Sequence, residues 1–596
     1  MPRVGGMRKA GENGRVEHAR DKKKTLKRLW TYLKKYKLLL FLAIIFTITS
    51  SVCGLINPFV SGKLIDKLKS NDIDFSYVHK YIYIMIGLYT ANFILQYLAH
   101  LVMTKASKNI VFNMRHDSFE SISRMPVSQF DHKQIGNILS MMSYDIDTVN
   151  TSLSNDFVTI TTSSITIIGS FAMMLYISWK LCLIFVVTIP ISFLVSKIKL
   201  KRTHPLYRKR SQSLGMLNGY AEEMITGTKT IKSYSMEEYT LEKYKALNKN
   251  ATDAMYKADY VACATGPTVN FINQITLALI CIFGSILHIY EGFTYGKISS
   301  FVQYSRKFSG PINEMANIAT DIGSALAAAE RVFELIDTEP EIKNDNKKAI
   351  TISKTDGNIR FQNVIFGYTD EIVLHDFSLD VKMGDRIAIV GKTGAGKSTI
   401  INLLMRFYDL KSGSILIDGI ESKDISRESL RKQFSMVLQD TWLFEGTILD
   451  NLKYGNPSAT KEECIEAAKK AHIHSFIMQL PKGYETIIKE NGGNISKGQK
   501  QLLTIARAML VPSSVLILDE ATSNVDTKTE MDIQDAMKEL MKNKTSFIIA
   551  HRLSTIKNAT KILLLDHGDI IEVGTHDELM NKKGNYYNLF ISQYKN

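Results

Sequence analysis

The residues best suited to chemistry form one glycine-rich run, Gly391-Lys392-Thr393-Gly394-Ala395-Gly396-Lys397-Ser398-Thr399. Its spacing, G-x-x-x-x-G-K-S, is that of a loop that wraps the phosphates of a nucleotide. Glycines allow backbone N–H groups to close around the α- and β-phosphates, and the next helix directs its positive end at them. We expect Lys397 to contact the β- and γ-phosphates and the Ser398 hydroxyl to bind Mg²⁺.

Three apolar runs after this loop each end on polar residues that could act on a bound nucleotide. Asp519 is expected to hold Mg²⁺ through water, and Glu520 to polarise the attacking water as a general base. His551 would hydrogen-bond the γ-phosphate, and Gln439 would contact both metal and water. Each residue alone has a structural explanation, since an Asp-Glu pair often just ends a strand. Together, in this order after the loop, they predict a catalytic set of Lys397, Gln439, Glu520 and His551 with ATP and Mg²⁺ as ligands.

Secondary structure predicted from hydrophobic pattern would position these groups. The run 386–390 before the loop predicts a buried strand, and 400–405 after it predicts a helix. The runs 435–440, 514–520 and 546–551 predict further strands, and 502–510 predicts a helix. An alternating segment, 359–368, predicts an antiparallel strand that ends in the exposed aromatic Tyr368.

Composition and charge separate the chain into two halves. The 596 residues carry a net charge of +15 and are 45% hydrophobic, with the apolar runs crowded into the first 330 positions. The basic residues flank apolar segments, as they do in cytoplasmic loops of membrane proteins. No aromatic-and-basic motif for nucleic acid is present in the sequence, so we expect no nucleic-acid partner. The five cysteines lack metal or redox spacing and are predicted to be small packing residues: Cys53, Cys182, Cys263, Cys281 and Cys464.

The first half predicts a membrane domain that comes after a basic tail. Residues 1–24 predict a flexible cytoplasmic tail, and 25–34 predicts a helix at the membrane interface. Its apolar face would consist of Leu26, Leu29, Trp30 and Leu33. Six segments are predicted to span a bilayer: 38–62 with a kink at Pro58, 81–104, 157–179, 181–196, 260–290 and 298–322. The sixth is unusually polar, and Lys180 is expected in a tight external turn between the third and the fourth.

Two long basic stretches, 105–155 and 197–259, join these spans and place both chain ends in the cytoplasm. They are too helical and charged for simple linkers, so we expect them to extend the membrane helices. The predicted fold is multi-domain: an all-α six-helix transmembrane domain followed by an α/β P-loop nucleotide-binding domain. The predicted parts are the tail (1–24), the transmembrane domain (25–334), a linker (335–358) and the nucleotide-binding domain (359–596).

A family resemblance emerges at Ser496-Lys497-Gly498-Gln499. Placed between the phosphate loop and the strand ending Asp519-Glu520, this run resembles the signature of ATP-binding cassette (ABC) proteins. Six spans ahead of one cassette resemble an exporter half-transporter, in the class of multidrug and lipid exporters. The segments 125–131 and 227–237 look like the cytoplasmic coupling segments of that family, and the resemblance covers residue 25 to the C terminus.

The resemblance also assigns roles to individual residues. It implies that Tyr368 stacks on adenine, that Gln439 lies in the Q-loop and that Ser523–Asp526 forms the D-loop. It further implies that part of the signature contacts ATP held by the opposite subunit: Ser496, Gly498 and Gln499. Because the chain has one cassette and six spans, it is expected to pair with a second half-transporter.

One departure from the family pattern leaves the type of pair open. Lys497 stands where the family usually has glycine, which fits either a tolerated variant in a homodimer or a weakened signature in a heterodimer. The intact Glu520 resembles the subunit of heterodimeric bacterial exporters that keeps the working carboxylate, and we favour the heterodimer. The expected location is the plasma membrane of a bacterium, with the N terminus and the cassette in the cytoplasm.

The predicted function is ATP-driven export of amphipathic drugs, lipids or peptides by alternating access; the alternative is an importer or lipid flippase on the same scaffold. The sixth span carries a polar stripe in which Arg306 and Lys307 would favour anionic or zwitterionic amphiphiles. The residues predicted to line the pathway are Arg306, Asn313 and Asn317 on this span, with Asn270 and Asn273 on the fifth. Pairing between helices or snorkelling would explain the same stripe without a pathway.

Overall fold

The computed structural model describes residues 21–69, 75–341, 349–439, 441–489, 494–519, 526–549 and 556–594. Its contacts divide the chain into two compact units. The first unit holds the described residues up to Ser123 together with Gln134–Thr338. The second holds Arg124–Lys133 and the described residues from Glu339 onward. The short segment 124–133, expected within the transmembrane domain, therefore packs as part of the second unit.

The described part of the first unit is helical. With the one helix of segment 124–133 included, the helices are α1 Lys22–Lys34, α2 Lys37–Leu68, α3 Phe75–Ser123, α4 Val127–His132, α5 Ile135–Ser140, α6 Ile146–Thr151, α7 Phe157–Ile177, α8 Trp179–Thr226, α9 Thr228–Ser233, α10 Glu237–Cys263, α11 Thr265–Glu291 and α12 Tyr295–Ile336. Two π-helical turns, Met141–Asp145 and Ser152–Asp156, join α5, α6 and α7 into one nearly continuous rod.

Five helical stretches among the described residues are long and apolar enough to cross a membrane: Lys37–Leu68, Phe75–Ser123, Ile135–Ile177, Trp179–Thr226 and Glu237–Glu291. The predicted sixth span lies in α12, a 42-residue helix that is not among these five. α3, with 49 residues, is about 74 Å long against a hydrocarbon core of roughly 30 Å. The expected extension of the membrane helices beyond the bilayer is therefore confirmed for α3.

The tight turn after the third span lies at Ser178, whereas the sequence analysis placed it at Lys180. Ser178 has an extended backbone (φ −162°, ψ 110°), and its side chain accepts from the N–H of Leu181 at the start of α8. Lys180 belongs to α8 and donates to Glu291 of α11 at 2.5 Å. The prediction was wrong by two residues because the lysine marks an ion pair at the helix end, while the serine makes the N-cap.

Only two of the four residues in the predicted apolar face of α1 are buried. Leu29 and Leu33 are buried, but Leu26 and Trp30 remain 57% and 59% exposed. Tyr32, which the pattern left out, is buried as well, and its hydroxyl donates to Asp117 of α3 at 2.7 Å. One side of α1 is thus fixed to its own unit, and the other keeps the exposed tryptophan typical of a membrane interface.

Helices α2 and α12 contact each other closely around Pro58, which lies inside α2. Ser300 donates to the Pro58 carbonyl oxygen at 2.7 Å, and the Tyr304 hydroxyl donates to that of Leu55 at 2.5 Å. A Cβ placed on Gly296 would lie 2.0 Å from the carbonyl oxygen of Gly62. α12 therefore supplies hydroxyl donors to two carbonyl groups of α2 near Pro58, in a stretch where the proline has removed one backbone hydrogen bond.

The second unit contains the strands β1 Ile359–Phe366, β2 Leu374–Val381, β3 Arg386–Gly391, β4 Ser412–Ile417, β5 Ile420–Glu421, β6 Phe434–Val437, β7 Gly446–Thr447, β8 Ile487–Ile488, β9 Val515–Asp519, β10 Thr545–Ile549, β11 Lys561–Asp566 and β12 Asp569–Gly574. Its remaining helices are α13 Lys397–Leu404, α14 Arg427–Arg431, α15 Ile448–Lys453, α16 Lys461–Lys470, α17 His474–Gln479, α18 Lys497–Met509, α19 Thr527–Leu540, α20 His576–Lys582 and α21 Asn585–Tyr594.

The largest sheet has the order β12-β11-β3-β10-β9-β6, and β1 lies in a four-stranded sheet of order β2-β1-β4-β5. Strands β11, β3, β10, β9 and β6 run parallel to one another, and the edge strand β12 pairs antiparallel with β11. In β9, Val515 and Ile517 belong to one hydrophobic core, while Leu516 and Leu518 belong to another. The sheet is covered on both faces, which explains why its strands are continuous apolar runs in the sequence.

A buried ion pair fixes α12 within the first unit. The side chain of Asp145, in the π-helical turn before α6, is 3% exposed, and that of Arg331 is 40% exposed. Arg331 donates from Nε and Nη2 to the two carboxylate oxygens, at 2.9 and 2.6 Å. Such two-pronged contacts are the strong form of an ion pair, and losing one partner leaves the other charge buried.

We predict that Arg331→Met lowers the free energy of unfolding by about 3 kcal/mol, because Asp145 would lose its counter-charge in a buried site. The matched control is Arg28→Met, whose pair with Asp337 is 41% and 46% exposed. The control should cost less than about 1 kcal/mol. Denaturant unfolding of the detergent-purified chain measures both, and equal losses would contradict the assignment.

Candidate nucleotide-binding site

Part of the predicted site lies at one edge of a sheet, where four parallel strands end. The phosphate loop follows β3, Gln439 lies two residues after β6, and Asp519 is the last residue of β9. The register pairs Ile549 of β10 with both Asp519 and Ile389, so these ends lie level. The expected strands around the phosphate loop are confirmed. Glu520 and His551, which follow β9 and β10, lie outside the described residues.

The backbone of the phosphate loop adopts φ values that favour glycine at two positions. Gly394 and Gly396 have φ values of +88° and +98°, in the left-handed region that favours glycine. Gly396 is also the N-cap of α13. A Cβ on Gly391 would lie 2.4 Å from the carbonyl oxygen of Leu565. This glycine-lined loop, leading directly into a helix N terminus, fits the phosphates of a nucleotide.

The ammonium group of Lys397 is hydrogen-bonded to the backbone of the phosphate loop. Its Nζ donates to the carbonyl oxygens of Gly391 at 2.7 Å and Lys392 at 3.0 Å. Burial lowers the pKa of Lys397 below its ordinary value, and the carboxylate of Asp519 acts in the opposite direction. The Asp519 carboxylate, at the end of β9, is thus one of the charges that act on Lys397.

The same edge carries oxygen donors of the kind that Mg²⁺ takes. Ser398 is exposed in the first turn of α13, Gln439 is exposed after β6, and Asp519 is half-buried. Hydroxyl, amide and carboxylate oxygens are hard ligands that suit this ion. The donor set therefore fits a magnesium ion bound together with phosphates.

Tyr368 is positioned by its hydroxyl group. The hydroxyl donates to the Thr399 side chain at 3.2 Å and accepts from the Asn402 amide at 2.9 Å. The ring lies edge-on to that of Tyr408, with centroids 4.9 Å apart at 88°. With its orientation fixed and 37% of its surface exposed, the ring can stack on a planar base beside the phosphate loop.

Tyr408 is a residue of this site that the sequence analysis missed. Its hydroxyl donates to the carboxylate of Asp131 in segment 124–133. Burial and this hydrogen bond raise the pKa of Tyr408. Asn402 could have been found in the sequence, since it lies three positions after Thr399 on the same helix face. The pairing of Tyr408 with Asp131, 277 residues apart, has no local signal.

The signature residues make a helix cap. Ser496 is the N-cap of α18, and it exchanges hydrogen bonds with Gln499 at 3.0 and 3.3 Å. Gly498 is buried and Lys497 is exposed. Asp526 caps α19, and the N–H of Thr529, at 3.0 Å, lowers the pKa of that carboxyl. The cap leaves Ser496 and Lys497 at the surface.

The predicted pathway residues lie on two helices of the first unit. On α12, Arg306 is exposed, while the side chains of Asn313 and Asn317 lie outside the described ones. On α11, Asn270 is exposed and Asn273 is partly buried. The described side chains do not form one cluster by hydrogen bonds or ion pairs.

Comparison with known proteins gives matches over both units. A family model described as "ABC transporter transmembrane region" matches residues 40–312, and one described as "ABC transporter" matches residues 374–523. An uncharacterized ABC transporter ATP-binding protein of Bacillus subtilis is 40% identical over 589 residues, which cover 99% of this chain and 97% of that protein.

A second relative and a solved structure extend the comparison. A fatty acid ABC transporter ATP-binding/permease protein of Mycobacterium bovis is 40% identical over 518 residues, 87% of this chain and 82% of that protein. The structure of a bacterial Atm1-family ABC exporter with ATP bound matches with a TM-score of 0.77 and 27% identity. The match covers 94% of this chain and 98% of the other.

We predict that Lys397→Met weakens binding of MgATP about tenfold or more, because a charge-assisted contact to phosphate is lost. Fluorescent-nucleotide titration of the purified chain measures the dissociation constant. Lys423→Met is the control, since Lys423 is 62% exposed and pairs with Glu421 at 2.7 Å. Binding by Lys397→Met that equals the control would remove Lys397 from the phosphate site.

Proposed function

Because this chain belongs to the ABC transporter family, we propose that its cassette hydrolyses ATP to drive amphipathic molecules across a membrane. The chain is an exporter-type half-transporter and a multi-pass membrane protein with an ATP-binding domain. The observation that carries the proposal is the edge where the phosphate loop, Gln439 and Asp519 meet. That edge belongs to the same chain as the five apolar stretches long enough to span a membrane.

Different residues at the sheet edge would bind the phosphates, the base and the metal ion of the nucleotide. The phosphate loop and Lys397 bind the phosphates, and Tyr368 orients the base. Ser398, Asp519 and Gln439 would hold Mg²⁺, which when bound neutralises charge on the phosphate oxygens. By family resemblance, Glu520 takes a proton from the attacking water and His551 holds that water in line.

The signature supports a shared site. Ser496 and Lys497 are exposed at the start of α18, and the chain contains one phosphate loop. Half-transporters of this family work as dimers, so the signature of one subunit would complete the site of the other. We propose a heterodimer with two nucleotide sites, of which one hydrolyses ATP. This chain supplies Glu520 to the hydrolysing site, and its signature with Lys497 faces the second, impaired site.

Two exposed apolar surfaces support contact with a second subunit. The tip surface, around α9 in the first unit, consists of Ile225, Tyr234, Met236 and Tyr239, each at least 53% exposed. The cassette surface, in the second unit, consists of Trp442 and Tyr454, whose ring centroids lie 6.1 Å apart and which are 55% and 62% exposed. Clustered exposed aromatics usually mark interaction sites. We propose that the tip surface of one subunit docks on the cassette surface of the other.

Closure of the dimer on ATP would reach the membrane helices through two segments. One is the tip surface, and the other is segment 124–133, where Asp131 accepts from Tyr408 beside Tyr368. Because the nucleotide would contact both subunits, it favours the closed state over the open one, as a ligand must in order to switch a protein. The relative named for fatty acids supports an amphipathic cargo. The second candidate is a flippase that moves a lipid between leaflets.

We predict that Glu520→Gln lowers ATP hydrolysis about 100-fold or more while ATP binding persists, because the general base is lost and the phosphate loop is intact. Proteoliposomes containing the chain and its partner should also lose ATP-dependent transport of a fluorescent amphiphile. Glu428→Gln, on an exposed side chain paired with Lys432 at 2.7 Å, is the control. Near-normal hydrolysis by Glu520→Gln would contradict the assigned role.

We predict that the double variant Tyr234→Ser/Met236→Ser weakens dimerisation about tenfold or more, because buried interface aromatics carry much of the binding energy. Native mass spectrometry of the detergent-purified protein measures the dimer fraction against concentration. Ile571→Ser removes a 43% exposed apolar side chain of β12 and serves as the control. A variant that pairs like wild type would exclude the tip surface from the dimer contact.

A further inference from the structure

A polar seam crosses the apolar interior of the first unit. On α2, Ser50, Gly54, Asn57 and Ser61 recur at intervals of three or four residues and therefore share one face. Ser50 contacts Asn92 of α3, whose amide donates to the Ser50 carbonyl oxygen at 2.7 Å and to its hydroxyl at 3.1 Å. The seam thus begins where α2 meets α3.

The opposite end of the seam meets α12. Gln303 donates to the hydroxyl of Ser61 at 3.3 Å. One turn further along α12, Lys307 lies close to Gly54: a Cβ on Gly54 would be 3.9 Å from its Nζ and 3.2 Å from the Asn92 amide nitrogen. A Cβ at Gly54 would crowd the Asn92 amide, so the glycine lets that amide and the Lys307 ammonium group approach the backbone of α2 closely.

Lys307 is a cation in an unusual position. It lies about 18 Å along α12 from Tyr295, near the middle of a hydrocarbon core roughly 30 Å thick. The side chain is partly buried, and among the described residues its ammonium has neither a hydrogen bond nor an ion pair. A charge at this depth is costly, and such residues usually mark the path of a substrate or ion.

Asn57 supplies the second observation. It is 2% exposed, and neither its amide nitrogen nor its amide oxygen has a hydrogen-bond partner in the described structure. Burying an amide without partners costs free energy, so natural proteins rarely tolerate it without a reason. Asn57 follows Gly54 by three positions, so it shares the helix face that Lys307 and Asn92 approach.

We propose that Lys307 and Asn57, beside Gly54 and Asn92, form a recognition site for an oxyanion headgroup of an amphipathic substrate. Lys307 pairs with the charge, and the Asn57 amide donates to a headgroup oxygen, which satisfies both groups at once. A carboxylate or a phosphate headgroup has this chemistry. The inference rests on the proposed function, because it assumes that amphiphiles enter the membrane domain.

The test uses the full chain with its partner in lipid nanodiscs, without ATP. Radiolabelled hexadecanoate is the probe, and unlabelled hexadecanoate, hexadecyl phosphate and hexadecanol compete for it. In wild type, the two anions should displace the probe about tenfold or more better than the alcohol, as expected for a charged hydrogen bond. The stronger of the two anions identifies the headgroup.

Variants at Lys307 decide the proposal. Lys307→Gln should abolish the preference for anions, while Lys307→Arg should retain part of it. Lys297→Gln removes an exposed charge from the outer turn of the same helix and should leave the preference unchanged. An undiminished preference in Lys307→Gln, or no preference in wild type, would overturn the proposal.

Asn57→Leu separates recognition from structure. Removing a buried amide without partners should raise the unfolding temperature of the complex, and the affinity for hexadecanoate should fall. A higher unfolding temperature with unchanged affinity would leave Asn57 without a role in recognition. That result would reduce the proposed site to Lys307 and contradict the proposal as stated.

A transport assay distinguishes this inference from the proposed function. If Lys307→Gln loses ATP-driven movement of hexadecanoate but keeps that of a cationic dye, both stand. If wild type binds hexadecanoate through Lys307 but moves no amphiphile with ATP, only the proposed function fails. If Lys307→Gln moves both probes like wild type, only the inference fails.

Discussion

The parallel pairing of β3, β10, β9 and β6 is the constraint on which the nucleotide site depends. The phosphate loop, Gln439 and Asp519 are far apart in the sequence. They lie at one edge because the strands before them run in the same direction and end there. Two hydrophobic cores, one on each face, hold those strands in register. The polar groups at their ends are therefore placed by apolar packing well away from the chemistry. The phosphate loop starts directly from β3, so its first residue is fixed by the same packing.

A second set of polar contacts secures the start of the cassette. Glu341 forms a two-pronged pair with Arg431 at 2.6 and 2.7 Å, and its N–H donates to the Arg124 carbonyl oxygen at 2.8 Å. Segment 124–133 is thus held from one end by Glu341 and from the other by Tyr408. Since Tyr408 also contacts Tyr368, the ring proposed to stack on the base and segment 124–133 are joined through one side chain.

Much of this arrangement could be predicted from the sequence, for reasons that lie in local pattern. The phosphate loop, the strands around it and the cap at Ser496 each depend on residues within one short run. The extension of α3 beyond the bilayer could be predicted from its length and charge. Contacts such as Asp131 with Tyr408, or Lys307 beside Gly54, depend on which helices and loops pack together. The turn at Ser178 and the exposed half of α1 were misjudged because charge and amphipathic pattern do not fix a cap or a packing partner.

The two π-helical turns around α6 have a consequence for the rod that runs from α5 to α7. Each such turn closes its backbone hydrogen bonds one residue later than an α-helical turn, so it takes up one extra residue without a break in the helix. The residue spacing of a helix face is therefore offset by one position across each turn. Asp145 is the last residue of the first turn, where it pairs with Arg331. A relative that lacked one residue in either turn would close it with α-helical spacing, and its helix face would follow a plain i, i+4 pattern through this stretch.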